Sequence, residues 1–229
     1  MNKFSLTVNY ISSTSHLTCK NLFDRFLEKK YSDCTGWGYS NVSLDESLIM
    51  GTLLKSVIRY YQVWNPETSV LEKKSYTQVK EINFRIDLLH SSFIVEGGVK
   101  DMNTVKQSLR QIAYNEFTYA PLDTTLYSLL VKFSFDAILE SIEEVVLTDY
   151  RTEKLFVGNY SAKLVDPFVK IDSLANYEKL IGRFKAVLSL SGRRVVIIAN
   201  TKSNFIVIGS ENDRLELMEY LTNKLLSNG

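Results

Sequence analysis

The chain has little of what marks a specialised protein. Its 229 residues include two cysteines, two histidines and three prolines. Two thiols are too few to staple a disulfide scaffold or complete a structural zinc site, so Cys19 and Cys34 are expected to be free and reduced. No apolar run approaches the ~18 residues of a membrane span. Met1-Asn2-Lys3-Phe4 opens a polar alternation rather than the core of a signal peptide. These absences lead us to expect a soluble, cytoplasmic protein with no membrane partner. Charge of one sign is lacking as well: 27 basic residues face 26 acidic ones, whereas a generic nucleic-acid or anionic-lipid binder has a clear basic excess. What is present is a 45% hydrophobic content, which fits an ordered globular protein. The length accommodates one domain or two of about 110 residues.

Residues that carry chemistry are also scarce. His16-x-x-Cys19 is far short of a zinc ligand set. His90 lies in a turn with Ser91 and Ser92, and Cys34 in an Asp33-Cys34-Thr35-Gly36-Trp37-Gly38 loop with no base beside it in sequence. Gly97-Gly98-Val99-Lys100 precedes a helix and resembles a phosphate cradle, but it lacks P-loop spacing and reads more simply as a hairpin exit with Gly97 at positive φ. No enzyme, metal or small-molecule cofactor is expected.

The chain does contain an internal echo. Phe93-Ile94-Val95-Glu96-Gly97 recurs as Phe205-Ile206-Val207-Ile208-Gly209, an offset of 112 that also aligns Asp101 with Asp213. The same offset aligns Lys20-x-x-Phe23-Asp24-x-x-Leu27-Glu28 with Lys132-x-x-Phe135-Asp136-x-x-Leu139-Glu140. Two motifs at one offset predict a tandem duplication, with repeats at 1–116 and 117–229. In the first repeat Phe4, Leu6, Val8 and Tyr10 alternate as a strand, Thr18 caps a helix, and Leu48–Trp64 and Tyr76–Leu89 read as strands. Asn65-Pro66-Glu67 is the turn between those two strands. Phe93–Glu96 then leads to a helix capped by Asp101. In the second repeat Leu126–Lys132 reads as a strand, with a helix from Asp123 as the alternative. Phe135, Ile138, Leu139 and Ile142 read as a helical stripe, and Leu155–Val165 as a strand broken at Asp166-Pro167. Leu174, Tyr177, Ile181, Phe184 and Leu188 predict an extra helix near 173–188. Arg193–Ala199 and Phe205–Ile208 close the chain as a hairpin before a helix capped by Asp213. The predicted class is α+β: two pseudo-symmetric repeats of strand, helix, antiparallel strands and helix, with the helices packed on one sheet face.

Leu89-His90-Ser91-Ser92-Phe93-Ile94-Val95-Glu96-Gly97-Gly98-Val99-Lys100 resembles the strand–Ser–strand–Thr-Gly-Ala-Lys segment of the TATA-box-binding-protein family, and Asn204–Ser210 echoes it. The resemblance implies a saddle with helices on its convex face and a concave sheet that binds DNA. The family is strongly basic and has no counterpart of the 173–188 helix, so the chain departs from it on both counts.

Two functions follow. In the first, the protein binds DNA or another nucleic acid, without catalysis, through an exposed sheet face. Arg59, Lys80, Arg85, Arg193 and Arg194 are then the contacts to phosphate, and apolar wedges unstack bases. In the second, it is an interaction subunit of a larger microbial or phage-related assembly, or self-associates, and docks protein through an apolar sheet face. If Val196 and Ile198 point to the helices, then Val195 and Ile197 point outward and share that face with Ile206 and Ile208. Either the 173–188 helix or another chain must cover these four. Trp37, Tyr60, Tyr61 and Trp64 are candidate stacking residues, although aromatics at this density also fill cores.

Overall fold

Long period-two stretches set the architecture. The computed structural model describes residues 2–13, 17–122, 124–153, 156–163 and 171–226. The strands are β1 (Asn2–Ser13), β2 (Trp37–Asp45), β3 (Leu48–Asn65), β4 (Val70–Asp87), β5 (Ser92–Glu96), β6 (Phe117–Pro121), β7 (Leu139–Glu153), β8 (Phe156–Lys163), β9 (Ile181–Leu190), β10 (Arg193–Asn200) and β11 (Asn204–Gly209). Among them run α1 (Cys19–Glu28), α2 (Val99–Ile112), α3 (Leu126–Phe135) and α4 (Glu211–Tyr220). Ile171–Leu180 is 3₁₀ helix and Leu221–Leu226 continues α4 as a π-helical turn.

The strands form one antiparallel sheet in the order β2-β3-β4-β5-β1-β11-β10-β9-β7-β8, with β6 beside the far end of β1. This corrects the predicted α+β class. The chain is mostly antiparallel sheet, 54% strand against 28% helix, with one 11-stranded sheet and few helices among the described residues. Nor do the helices share a face. Residues directly opposite in an antiparallel pair point to the same side. Val95 lies opposite Thr7 and Phe84, whereas Ile94 lies opposite Val8 and Arg85. Val95, Phe84 and Ile86 pack with Leu22 and Phe26 of α1 and with Met102, Val105 and Leu109 of α2. Ile94, Val8 and Leu6 pack in a second core with Phe205, Val207 and Ile197, against Leu129 and Phe133 of α3 and Leu217 of α4. The first two helices thus cover one side of the sheet and the last two the other.

The central strands are covered on both sides. Phe93, Ile94 and Val95 are all fully buried, the uninterrupted apolar run expected of a strand between two layers. Burial of each such side chain contributes roughly 1.5–3 kcal/mol. Among the described residues each half has helices on one sheet face only, and the two faces without them are on opposite sides.

The extra helix near 173–188 is also corrected. Only Ile171–Leu180 is helical, as 3₁₀; the rest is β9, in which Phe184, Ala186, Leu188 and Leu190 alternate into the core. Likewise Leu126–Phe135 is helix, and the chain from Leu139 is strand, so the stripe from Phe135 to Ile142 is not one helix. Asp166-Pro167 and His16 lie outside the described residues.

Thr18 caps α1 by accepting from Asn21 N. Asp101 and Asp213 are not N-caps but third residues of their helices. In α4 Ser210 is the cap and Asp213 completes a capping box; in α2 the cap is Gly98, with no side-chain bond. Each aspartate folds back over a glycine: a Cβ on Gly97 or Gly209 would come within 2.6 Å of Oδ2 of Asp101 or Asp213. Glycine is required there for close approach, not for the expected positive φ.

Candidate nucleic-acid interface

β3 and β4 are the longest strands because both carry Val, Ile and Tyr along 18 residues, with Trp64 added in β3. Their turn is fixed by Asn65, whose Oδ1 accepts from Glu67 N at 2.9 Å and Thr68 N at 3.4 Å. Near the sheet the pair is flanked by β2, which ends opposite Lys55, and by β5, which reaches only Phe84–Asp87. Beyond that, from Ser56↔Val79 to Asn65↔Val70, the two strands pair with no other strand among the described residues; Ser56 N still donates to the body, to Gly36 O at 2.7 Å. Ten residues at about 3.3 Å each make a two-stranded ribbon projecting some 30 Å from the sheet.

This ribbon carries eight of the fourteen large hydrophobic side chains exposed among the described residues: Ile58, Tyr60, Tyr61, Trp64, Val70, Leu71, Tyr76 and Val79. The register sorts them. One face presents Arg59, Tyr61, Tyr76 and Lys74; the other presents Ile58, Tyr60, Lys73, Trp64 and Leu71. Tyr61 and Tyr76 meet edge to face with ring centroids 6.0 Å apart. Lys73 Nζ stands 4.1 Å from the centroid of Tyr60. Arg59 Nε donates to Gln78 Oε1 at 3.3 Å.

Basic charge gathers on this element and at its base. Residues 55–80, the ribbon with the Lys55–Lys80 pair where it joins the sheet, hold five basic and two acidic side chains, three and two of them on the ribbon itself, which leaves 22 basic and 24 acidic residues elsewhere. Lys80 is bonded to Asp101, but Lys55, Arg59, Lys73 and Lys74 have no ion-pair partner among the described residues.

The residues anticipated from sequence do not converge. Arg59 is on the ribbon. Lys80 sits at its base, tied to the first turn of α2. Arg85 is half-buried on the opposite side of the sheet from Phe84. Arg193 is committed to Asp213 and Glu216, both at 2.8 Å, and Arg194 to Glu140 at 2.8 Å. Arg85 and Arg193 face one side; Lys80 and Arg194 face the other. The apolar foursome is split too. Val195 and Ile197 are fully buried under α3 and α4, whereas Ile206 and Ile208 are half-buried on the reverse side with Val196 and Ile198. The alternation expected for β10 is therefore inverted by one residue.

The other chemical candidates have structural roles. His90 Nδ1 lies 2.7 Å from Asp87 Oδ2, and Asp87 Oδ1 accepts from Ser47 Oγ at 2.9 Å and Leu89 N at 3.0 Å. Burial opposes ionisation of Asp87, but the His90 and Ser47 bonds outweigh it and hold its carboxyl below the usual range. Cys19 Sγ donates to Ser47 O at 3.6 Å, and burial followed by the Asp87 charge pushes the thiol up, the opposite of activation. The start of α2, a phosphate cradle on sequence grounds, already holds the Asp101 carboxylate against Lys80. Among the described residues no cluster of three or more His, Cys, Asp or Glu could hold a metal ion, and no helix is long and apolar enough to cross a membrane.

No protein-family model matches the chain, and no curated protein is significantly similar to it in sequence. The functional argument therefore rests on the ribbon and its surroundings. Lys55, Lys73, Lys74 and Tyr76 were missed from sequence. The signal available was the Lys73-Lys74 pair facing the aromatic stretch Tyr60–Trp64 across a turn; what hid it was that strand length alone does not say which part leaves the sheet.

Proposed function

We propose that this is a non-catalytic, cytoplasmic nucleic-acid-binding protein that holds its ligand on the β3–β4 ribbon. The observation that carries the reading is the interleaving of exposed aromatics with cations lacking carboxylate partners on one projecting element. Cations neutralise phosphates and release counterions, and aromatic faces stack on bases with little regard to sequence. A protein of net charge +1 can bind this way because its basic residues are grouped rather than numerous. The likeness of Leu89–Lys100 to the TATA-box-binding family suggests the same class of partner, and we propose it as a distant likeness of that segment only.

The test is a shortened protein in which residues 57–78 are replaced by Asn-Gly, a two-residue turn suited to an antiparallel pair. It should keep the thermal transition of the full chain and lose binding of a labelled oligonucleotide at low ionic strength. Undiminished binding would remove the ribbon from the proposal. A second reading, docking of another protein, is favoured by the half-buried Val196, Ile198, Ile206 and Ile208 on a sheet face that no helix covers among the described residues.

A further inference from the structure

The ribbon face that presents Arg59, Tyr61 and Tyr76 continues onto the body of the protein. Lys55 is on that same face, opposite both Lys80 and Trp37, so Trp37, Lys55 and Arg59 follow one another along one side of the sheet. This is the side that α1 and α2 cover, and between their exposed flank and β2 lie two adjoining cavities. The smaller, about 80 Å³, is lined by Trp37, Lys55, Thr104, Gln107 and Gln111 among others. The larger, about 370 Å³, is lined by Arg25, Lys29, Trp37, Gln111 and Tyr114, with Glu28 as its one carboxylate. Trp37 and Gln111 belong to both, which makes the two cavities one groove divided by an indole.

The chemistry of this groove is not that of a hydrophobic docking site. Lys29 Nζ lies 4.5 Å from the centroid of Trp37, and Lys29 and Lys55 have no ion-pair partner among the described residues. Gln107 and Gln111 are four residues apart on α2, hence on one helix face, and both are exposed. A primary amide offers paired donors and acceptors that match the edge of a base. The Trp37 ring is held from behind by Tyr39, centroid to centroid 6.0 Å, and the Tyr39 hydroxyl is anchored to Ser108 Oγ at 2.8 Å. A rigid aromatic plane with amides at its rim, Lys29 over one face of the ring and Lys55 beside it on β3 together form a receptor for an unpaired nucleotide. The larger cavity is within the size range of small-molecule sites.

We infer that the Trp37 groove receives unpaired bases of a single strand, DNA or RNA, whose backbone continues over Lys55 to the ribbon. The inference rests on the proposed function and adds to it the state of the ligand, since a stacked duplex cannot place a base against Trp37. Lys55 and Arg59 are four residues apart on one strand face, about 13 Å, so the groove and the ribbon lie within reach of one short oligonucleotide.

The experiment uses the full chain carrying Trp64→Phe, which leaves Trp37 as the sole tryptophan. Its emission is followed while single-stranded DNA, single-stranded RNA and duplex DNA are added separately. Quenching by either single strand, and not by duplex, is the expected result, and the strand that quenches identifies the sugar. Trp37→Ala should weaken single-strand binding about tenfold. Gln107→Ala with Gln111→Ala, both exposed and safe for folding, should alter the preference among homopolymers and leave the salt dependence alone. If a single strand binds while Trp37 emission stays constant and the glutamine pair has no effect, the groove is not the site, and the ribbon reading survives. If neither strand binds the full chain at low ionic strength, the proposed function fails and the inference falls with it.

Discussion

Ile197 and Ile198 are neighbours on β10, yet their truncation should have very different effects. Ile197 is fully buried in the core beneath α3 and α4, opposite Val207 and Ala186. Ile198 points to the other side, which no helix covers among the described residues, and is half-buried beside Ile206. Ile197→Ala removes three carbons from a closed core and leaves a void, a change that costs about 2–5 kcal/mol. For a chain of this size each kcal/mol lowers the melting temperature by about 2–4 °C. A drop of roughly 4–20 °C is therefore expected for Ile197→Ala. Ile198→Ala loses only part of a side chain's burial and leaves no closed void; about 1 kcal/mol and at most a few degrees should follow. Calorimetry or circular dichroism melts of the two proteins decide the matter. Equal losses, or the larger loss at Ile198, would show that the face assignment of β10 is inverted, and the placement of α3 and α4 on the side opposite α1 and α2 would fall with it.

Gly97→Ala and Gly209→Ala should each destabilise by about 1–3 kcal/mol in denaturant titrations, because the new Cβ would press on the Asp101 or Asp213 carboxylate within 2.6 Å. Acid stability should depend on Asp87 and Asp213. In Asp213, burial works against ionisation, but Arg193 and Ser210 outweigh it and hold the carboxyl below its ordinary value of 3.8, as His90 and Ser47 do for Asp87. Their contribution is complete above that value and lost as pH falls through the lowered folded-state one, so Asp87→Asn and Asp213→Asn should each flatten the acid limb of a stability–pH curve. Arg214, buried on α4 and paired with Glu96 of β5 and Glu211, ties that helix to the central strands. Arg214→Ala should lower stability in urea by about 1–3 kcal/mol, since it removes the ion-pair partner of the partly buried Glu96 and leaves it only the bond from Asn83.

Much of the strand content was legible in the sequence, because alternation is a local signal. The runs Phe4–Tyr10, Leu48–Trp64 and Phe205–Ile208 form strands throughout, Tyr76–Leu89 does so as far as Asp87 before it turns, and Thr18 caps its helix. Two segments misled for a common reason. Leu174–Leu188 and Phe135–Ile142 happen to place apolar residues at helical spacing, while Ile181–Leu190 also alternates and its partners β7 and β10 decide in favour of strand. The sidedness of the helices was not legible, because a shift of one residue exchanges the two faces of a strand. Phe93-Ile94-Val95 was the available hint, a run with no polar face and hence a strand between two layers. Of the proposed contacts, Arg59 is legible in the sequence, whereas the pairing of Arg193 with Asp213 and Glu216, and of Arg194 with Glu140, is not. Ion pairing between residues distant in sequence leaves no local signature.

The salt dependence of single-strand binding tests the central claim most directly. If Lys55, Arg59, Lys73 and Lys74 each neutralise one phosphate, log K should fall against log salt with a slope of about −3, at about −0.7 per contact. Changing Arg59, Lys73 and Lys74 together to Ala should flatten that slope to about −0.7, while changing Arg193 and Arg194 to Ala should leave it as it was. Binding that is absent at low ionic strength, or a slope that the triple change leaves untouched, would contradict the assignment of nucleic acid to the ribbon.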